Sequence, residues 1–362
     1  MDERGIILLL ARAPGLTAQH VRAALPQSRD LTTVVERLRA IGPALPARTR
    51  AYLDAPSVSR LDADRCWLDT CGAVLVPCTS PLYPPLLADA PGAPPVLFVL
   101  GDVRSLGERH VALVGARRAT PAGCAIARDL AGDLARAGLG VASGLALGID
   151  AASHEGALDA GATTLAVCAH GLDCVYPRQH AGLACRIRDQ GALISCFPPG
   201  TPPTRRRFPW RNRILSGLAA ATVVVEAARD SGSLHTARSA ERQGRLVFAV
   251  PGSVRSPLSA GCHDLLRRGA RIAESSADVL RALKIPSTIQ VLMGSRASSS
   301  LAGPLDTDYK ILLDAVGFEP VSLNTLVERT GLQGSGIASM LLILELGGRV
   351  APRPGGRWSR VS

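Results

Sequence analysis

The sequence predicts an α/β fold: a parallel sheet with helices on both faces, preceded by a small helical domain and followed by three helices and a hairpin. Three observations carry this. The run from Val111 to Leu158 alternates buried-strand, glycine-turn and helix signals almost without interruption. The same alternation continues to Arg268, and strands separated by helices make parallel crossover units. At both ends it gives way to helical periodicity alone.

In order along the chain, Ile6 to Ala11, Thr17 to Leu25 and Leu31 to Ile41 read as short helices divided by Pro14-Gly15 and Pro26. The turn Ala13-Pro14-Gly15-Leu16 faintly resembles loops of helix-hairpin-helix or sterile-alpha-motif modules, yet it is too short to carry a binding claim, and a packing module is the expectation. Leu61 to Cys71 adds a helix and Ala73 to Val76 a strand. The prolines of LYPPLLADAPGAPPVLFVLGD then predict a rigid extended path into the strand Val96 to Leu100.

Val111 to Val114 is the first strand of the central run. Thr120 and Pro121 are an N-cap and first helical residue for the helix Ala122 to Leu134, and Leu139 to Ala142 is the next strand. Helix Ala151 to Ala160, strand Thr164 to Cys168, helix Gln179 to Gln190 and strand Ala192 to Ser195 follow. Helix Arg213 to Leu218, strand Thr222 to Val225, helix Thr236 to Gln243, strand Leu246 to Val250 and helix Cys262 to Arg268 complete the pattern.

The stretch from Ile285 to Pro304 is rich in serine and small residues and reads as a flexible linker. Beyond it, Asp306 to Val316, Ser322 to Arg329 and Ser335 to Leu346 are helical, and Arg349 to Arg360 is a small hairpin, together a winged helix. Its recognition-helix stretch GSGIASMLLILELGG contains no arginine or lysine, which argues against groove readout and for a protein contact. The expected organisation is a helical domain over 1–70, the sheet domain over 71–284, a linker over 285–304 and the winged helix over 305–362.

At 362 residues with 47% apolar content, the chain can bury a large core. Its formal net charge of +11 points to a polyanionic partner. Lys284 and Lys310 are the only lysines, so arginine supplies nearly all the basic charge, and genome base composition is the competing reading of that bias. The nine cysteines are scattered, with no CxxC pair and no histidine pair at ligand spacing; this speaks against a metal site or a disulfide scaffold and for a reducing cytoplasm. The opening MDERGIILLLARAP places acids before a short apolar run without a cleavage site, and no segment has the length to span a membrane, so neither a secretory leader nor membrane insertion is expected.

Three strand ends carry the chemistry. Gly115-Ala116-Arg117 precedes a helix start, where free N–H groups and a planar guanidinium suit a phosphate without a metal. Ser143-Gly144 closes the next strand, and Ser231-Gly232-Ser233 opens a helix from Leu234 with two hydroxyls. Ligands of doubly wound sheets bind beyond such strand ends. The dinucleotide fingerprint GxGxxG is absent, so no nicotinamide or flavin cofactor is expected. On a loop leaving Phe197-Pro198-Pro199-Gly200, TRRRFPWRNR packs five arginines around Phe208 and Trp210; arginines neutralise phosphates and aromatic faces stack bases, the combination that grips single-stranded nucleic acid. The competing reading of the same run is a helix start with its aromatics in the core. Glu226, His154, His170, His235 and His263 have no partners at catalytic spacing, and no catalytic set is expected.

VGARRATPAG, ASGLALGIDAASHEGAL, GLDCVYP, FPWRNRIL, DSGSLHTARSA and VPGSV with SAGCHDLLRRGA, in this order, resemble the bacterial DNA-processing protein A family, DprA or Smf. The resemblance covers about two hundred central residues. It implies an extended Rossmann-like domain with a helical domain before it and a winged helix after it. It also implies a non-enzymatic, dimeric cytoplasmic protein that binds and protects single-stranded DNA without cutting it and loads RecA recombinase in natural transformation. The Gly115-Ala116-Arg117 turn resembles the family's phosphate-contacting motif, Phe208, Arg211, Asn212 and Arg213 its FPxRNR loop, and Ser231, Gly232 and Ser233 its SGS turn. The sequence departs from the pattern at Cys196, where an acid is usual, and at His180 and His263, where asparagine is frequent. An alternative from the same fold group is an enzyme acting on nucleotide derivatives; that class carries a PGGxGT motif, which Pro251-Gly252-Ser253 lacks.

Overall fold

A computed structural model describes residues 2–25, 31–41, 45–285 and 307–361. The chain forms two compact units, Met1–Ser287 and Thr288–Ser362. The linker read over 285–304 falls, apart from Ile285, outside the described residues.

The first unit opens with five helices: α1 (Glu3–Arg12), α2 (Ala18–Ala24), α3 (Thr32–Ile41), α4 (Ala47–Asp54) and α5 (Val58–Cys71). Asp2 caps α1 by accepting from the Gly5 N–H, and α5 ends on Gly72 in the left-handed region, so the chain turns sharply into the sheet. Leu8 and Leu10 of α1, Leu38 of α3 and Leu53 of α4 lie in one continuous core with Leu97, Phe98 and Ile194 of the sheet. Burying side chains of this size stabilises by about 1.5–3 kcal/mol each, so the helices are held to the sheet by many such terms.

The strands are β1 (Val74–Pro77), β2 (Val96–Gly101), β3 (His110–Val114), β4 (Gly140–Ser143), β5 (Thr164–Val167), β6 (Ala192–Ser195), β7 (Ala219–Val224), β8 (Leu246–Ala249) and β9 (Arg271–Ile272). They form one sheet in the order β1-β2-β6-β5-β4-β3-β7-β8-β9. From β6 to β9 every pairing is parallel. Helices α7 (Pro121–Arg136), α8 (Ile149–Asp159), α9 (Ala181–Gln190), α10 (Phe208–Leu218), α11 (Ser233–Arg242) and α12 (Ala260–Arg267) make the connections, and α13 (Ser276–Ala282) follows β9. All five residues of β3 are buried, as a strand covered on both faces requires.

Four features differ from the sequence expectation. The proline-rich approach to β2 is not wholly extended: α6 (Pro85–Ala88) is a helical turn, because Pro85 at its start has a φ already suited to a helix. Both β1–β2 and β2–β6 are antiparallel, so the parallel order of the sheet stops at β6. Helix α10 begins at Phe208, five residues before the expected Arg213, so FPWRNR lies on a helix and not on a loop. A short edge strand and α13 lie beyond α12, too brief for periodicity to reveal.

The second unit has helices Thr307–Val316, Leu323–Thr330 and Gly334–Leu346 and the expected hairpin Val350–Arg353 with Arg357–Arg360, to which Val321–Ser322 adds a third strand. Leu312, Leu326, Ile337, Leu341 and Leu344 give it a core of its own.

Candidate nucleic-acid interface

The strand order dictates where a site can form. From β3 the chain winds outward through β4 and β5 to β6, then returns to pair β7 on the other side of β3. Loops leaving β3 and β7 therefore diverge, and a crevice opens between them. A cavity of about 330 Å³ lies there, lined by Gly115 and Arg117 after β3, Phe208, Arg211 and Asn212 of α10, and Ser231, Gly232 and Ser233 at the start of α11. Eight of the residues singled out from the sequence thus share one cavity.

Each is held by a specific local cause. The Thr120 side chain accepts from the Gly123 N–H at 2.9 Å and donates to Glu226 Oε1 at 2.6 Å, while the Thr120 N–H donates to Glu226 Oε2 at 2.9 Å. Glu226 is thus committed to fixing the start of α7, and this anchors the turn that carries Arg117. Gly115 has no room for a side chain: a Cβ would collide with Ile149 and the Glu226 carbonyl. Arg117 is exposed and stands over the Phe208 ring, its Cζ 5.0 Å from the centroid. The Ser231 and Ser233 hydroxyls are 2.7 Å apart, and Asn212 Nδ2 donates to the Gly232 carbonyl at 3.3 Å, tying α10 to this turn.

Arg211 departs most from the picture of solvated arginines. It is 4% exposed; Nη1 donates to the Val167 carbonyl at 3.2 Å and Nε has no hydrogen-bond partner. Burial lowers its pKa, opposed by the Asp150 charge. Burial likewise pushes the Asp150 carboxyl up, opposed by Arg211 and by the Ala146 and Gly144 N–H groups that donate to it. A buried guanidinium costs several kcal/mol unless paired, and one carbonyl with an offset carboxylate offsets only part of this. Arg211 and Asp150 both line the cavity, with Arg117 at its rim as a second guanidinium.

Two sequence candidates lie elsewhere. Ser143 is fully buried and its hydroxyl donates to the Leu113 carbonyl at 2.6 Å, so it joins β4 to β3 instead of lining the cavity. Arg213, on the opposite face of α10, is exposed, with Cζ 5.7 Å from the Trp210 ring centroid; at 3.6 residues per turn it falls out of register with Phe208 and Arg211. Gly144 is beneath the site: a Cβ there would fall within the Arg211 guanidinium, so the missing side chain is what admits it.

Sequence reasoning missed Asp150 and Tyr176. Asp150 lines the cavity and receives the N–H groups of a turn in which Leu145 has φ +59°, an uncommon conformation for a branched residue. The signal was its place at the start of a helix directly after the Gly148 turn. Tyr176 is 43% exposed, its ring 6.2 Å from that of Phe208, and with Arg117 and Leu147 it lines a small adjoining pocket. Among the described residues no group of His, Cys, Asp or Glu could hold a metal ion, and no helix is long and apolar enough to cross a membrane.

Comparison with known families gives this geometry a context. Residues 74–284 match the model of DNA recombination-mediator protein A, and residues 296–356 match the DprA winged helix domain. The chain belongs to the DNA recombination-mediator protein A family. Family membership assigns it to DNA processing and recombination mediation. Protein Smf of Escherichia coli is 38% identical over 315 residues, which cover 85% of this chain and 83% of that one. A putative DNA processing protein DprA of Mycobacterium tuberculosis is 39% identical, with 74% and 68% covered. Among solved structures, DNA processing protein A of Streptococcus pneumoniae superposes with a TM-score of 0.67 at 31% identity, covering 78% of this chain and 98% of that one. That of Helicobacter pylori, from a study of its single-stranded DNA binding mode, gives 0.54 at 26% identity, covering 59% and 97%. The Rossmann-like sheet and the winged helix of the sequence expectation agree with these relatives.

Proposed function

We propose that this chain binds single-stranded DNA across the cavity between β3 and β7, protects it, and loads RecA recombinase onto it. The observation that supports this reading is the meeting of Arg117, buried Arg211 with its unpartnered Nε, and the Phe208 ring in one cavity beside two serine hydroxyls. Charge neutralises phosphate, the ring stacks a base, and neither demands a sequence. The binding mode addressed in the Helicobacter pylori relative supports the same ligand.

On this reading the protein is a cytoplasmic homodimer that holds DNA without cutting it and serves DNA uptake in transformation. Its organisation is a helical domain over 1–70, the binding domain over 71–284, a linker over 285–304 and a winged helix over 305–362.

The test is fluorescence anisotropy with labelled oligothymidine. Arg117→Ala weakens binding about tenfold and lowers the salt slope by about 0.7, the value for one phosphate contact on a single strand. Because Arg117 is exposed, the fold tolerates the change; an unaltered slope would remove Arg117 from the interface. A gel shift with and without RecA tests the second half: a slower species that needs both proteins is expected, and its absence refutes loading.

A further inference from the structure

A second cavity, about 440 Å³, opens where the N-terminal helices meet the segment between β6 and α10. Three arginines and two aromatic rings line it, Arg12, Arg48, Arg207, Phe197 and Trp210, and no carboxylate does. Arg12 is already engaged: it pairs with the buried Asp64 and donates to the Pro199 carbonyl at 3.1 Å. Arg48 is exposed and makes no ion pair among the described residues. Arg207 donates to the Pro202 carbonyl and has its Cζ 5.7 Å from the Phe197 ring centroid, again without an acid. Two positive charges therefore enter this cavity uncompensated, next to aromatic rings. A cavity wall serving only to pack helices has no use for such charge, whereas a polynucleotide matches it in both respects.

The first turn of α10 connects this cavity to the one between β3 and β7. Phe208, Arg211 and Asn212 face the strand-end cavity, while Arg207 and Trp210 face the second, as three- and four-residue spacing on a helix requires. Arg205 and Arg206, both exposed, stand just before that turn. We infer that the second cavity continues the polynucleotide path: a strand held at the β3–β7 crevice crosses the start of α10 and lays further nucleotides between Arg48 and Arg207. The inference rests on the single-stranded DNA reading and adds to it a second subsite, built jointly by the N-terminal helices and the sheet.

The experiment compares the full-length protein with Arg48→Glu on two oligothymidines, one of about six nucleotides that fills only the first cavity and one of about twenty that reaches both. Arg48 is exposed, so the exchange leaves the fold intact. Expected is a loss of about tenfold in affinity for the longer strand, with a lower salt slope, and a change below about twofold for the shorter. Equal affinities of the two proteins for the longer strand overturn the second subsite while leaving the first in place. An equal loss on both lengths also overturns it, because the effect is then general electrostatics. If the unaltered protein binds neither strand, the single-stranded DNA reading itself fails, and that result differs from both others.

Discussion

At the scale of single residues, burial decides what each polar group can do. Thr164 donates its hydroxyl proton to the Val141 carbonyl at 2.8 Å, so His154 Nδ1, 2.8 Å from that hydroxyl, must carry a proton and donate. The ring is neutral: burial, reinforced by His180 and Arg211, lowers its pKa to about 3, and burial lowers that of His110 to about 4. A histidine that resists protonation in the fold but accepts it when unfolded contributes stability that is full above pH 6.5. That contribution falls as pH drops toward the folded value. Thermal unfolding should therefore shift downward from pH 6.5 to 4, at up to about 1.4 kcal/mol per pH unit per histidine. His154→Asn keeps a donor near Thr164 and removes the titrating ring. A flatter dependence is expected in that variant, and an identical one would show that His154 is not its source.

At the scale of elements, the site depends on how helices begin. Thr120 uses one hydroxyl both to cap α7 and to bind Glu226 beyond β7, so the turn bearing Arg117 is fixed from two sides. Thr120→Ala should cost about 1–2 kcal/mol in urea unfolding and reduce oligonucleotide affinity as well; a stability loss without any loss of affinity would separate the cap from the site. This cap was legible in the sequence, because threonine before proline at a helix start has few other uses. The alternation of strands and helices was legible for the same reason: buried apolar runs between glycine turns leave little choice. The start of α10 was not. Its buried face includes Arg211, Asn212 and Leu215, and an arginine among core positions disguises a helical period as a charged loop. Nor could sequence separate Ser143, whose hydroxyl is spent inside the sheet, from Ser231 and Ser233, which border the cavity: all three follow strands, and only the packing tells them apart.

At the scale of the molecule, the third helix of the second unit and the cavities of the first present different surfaces. In the second unit, the helix Gly334–Leu346 exposes Leu342 at 55% and Ile343 at 54% and carries no basic residue, a surface unsuited to phosphate. The first unit has its own core and the arginine-lined cavities. Removing residues 305–362 should therefore leave oligothymidine affinity within about twofold, measured by anisotropy, and a larger loss would place nucleic-acid contacts on the winged helix.

The β3–β7 pairing joins segments separated by more than a hundred positions, since Gly115 and Ser231 reach one cavity only after four intervening strands have been laid down. A receptor of this kind has no partial form. Ligand that binds only the assembled cavity, at a hundred times its dissociation constant, raises the unfolding free energy by about 2.7 kcal/mol. A chain marginal when empty would be safeguarded by its own cargo.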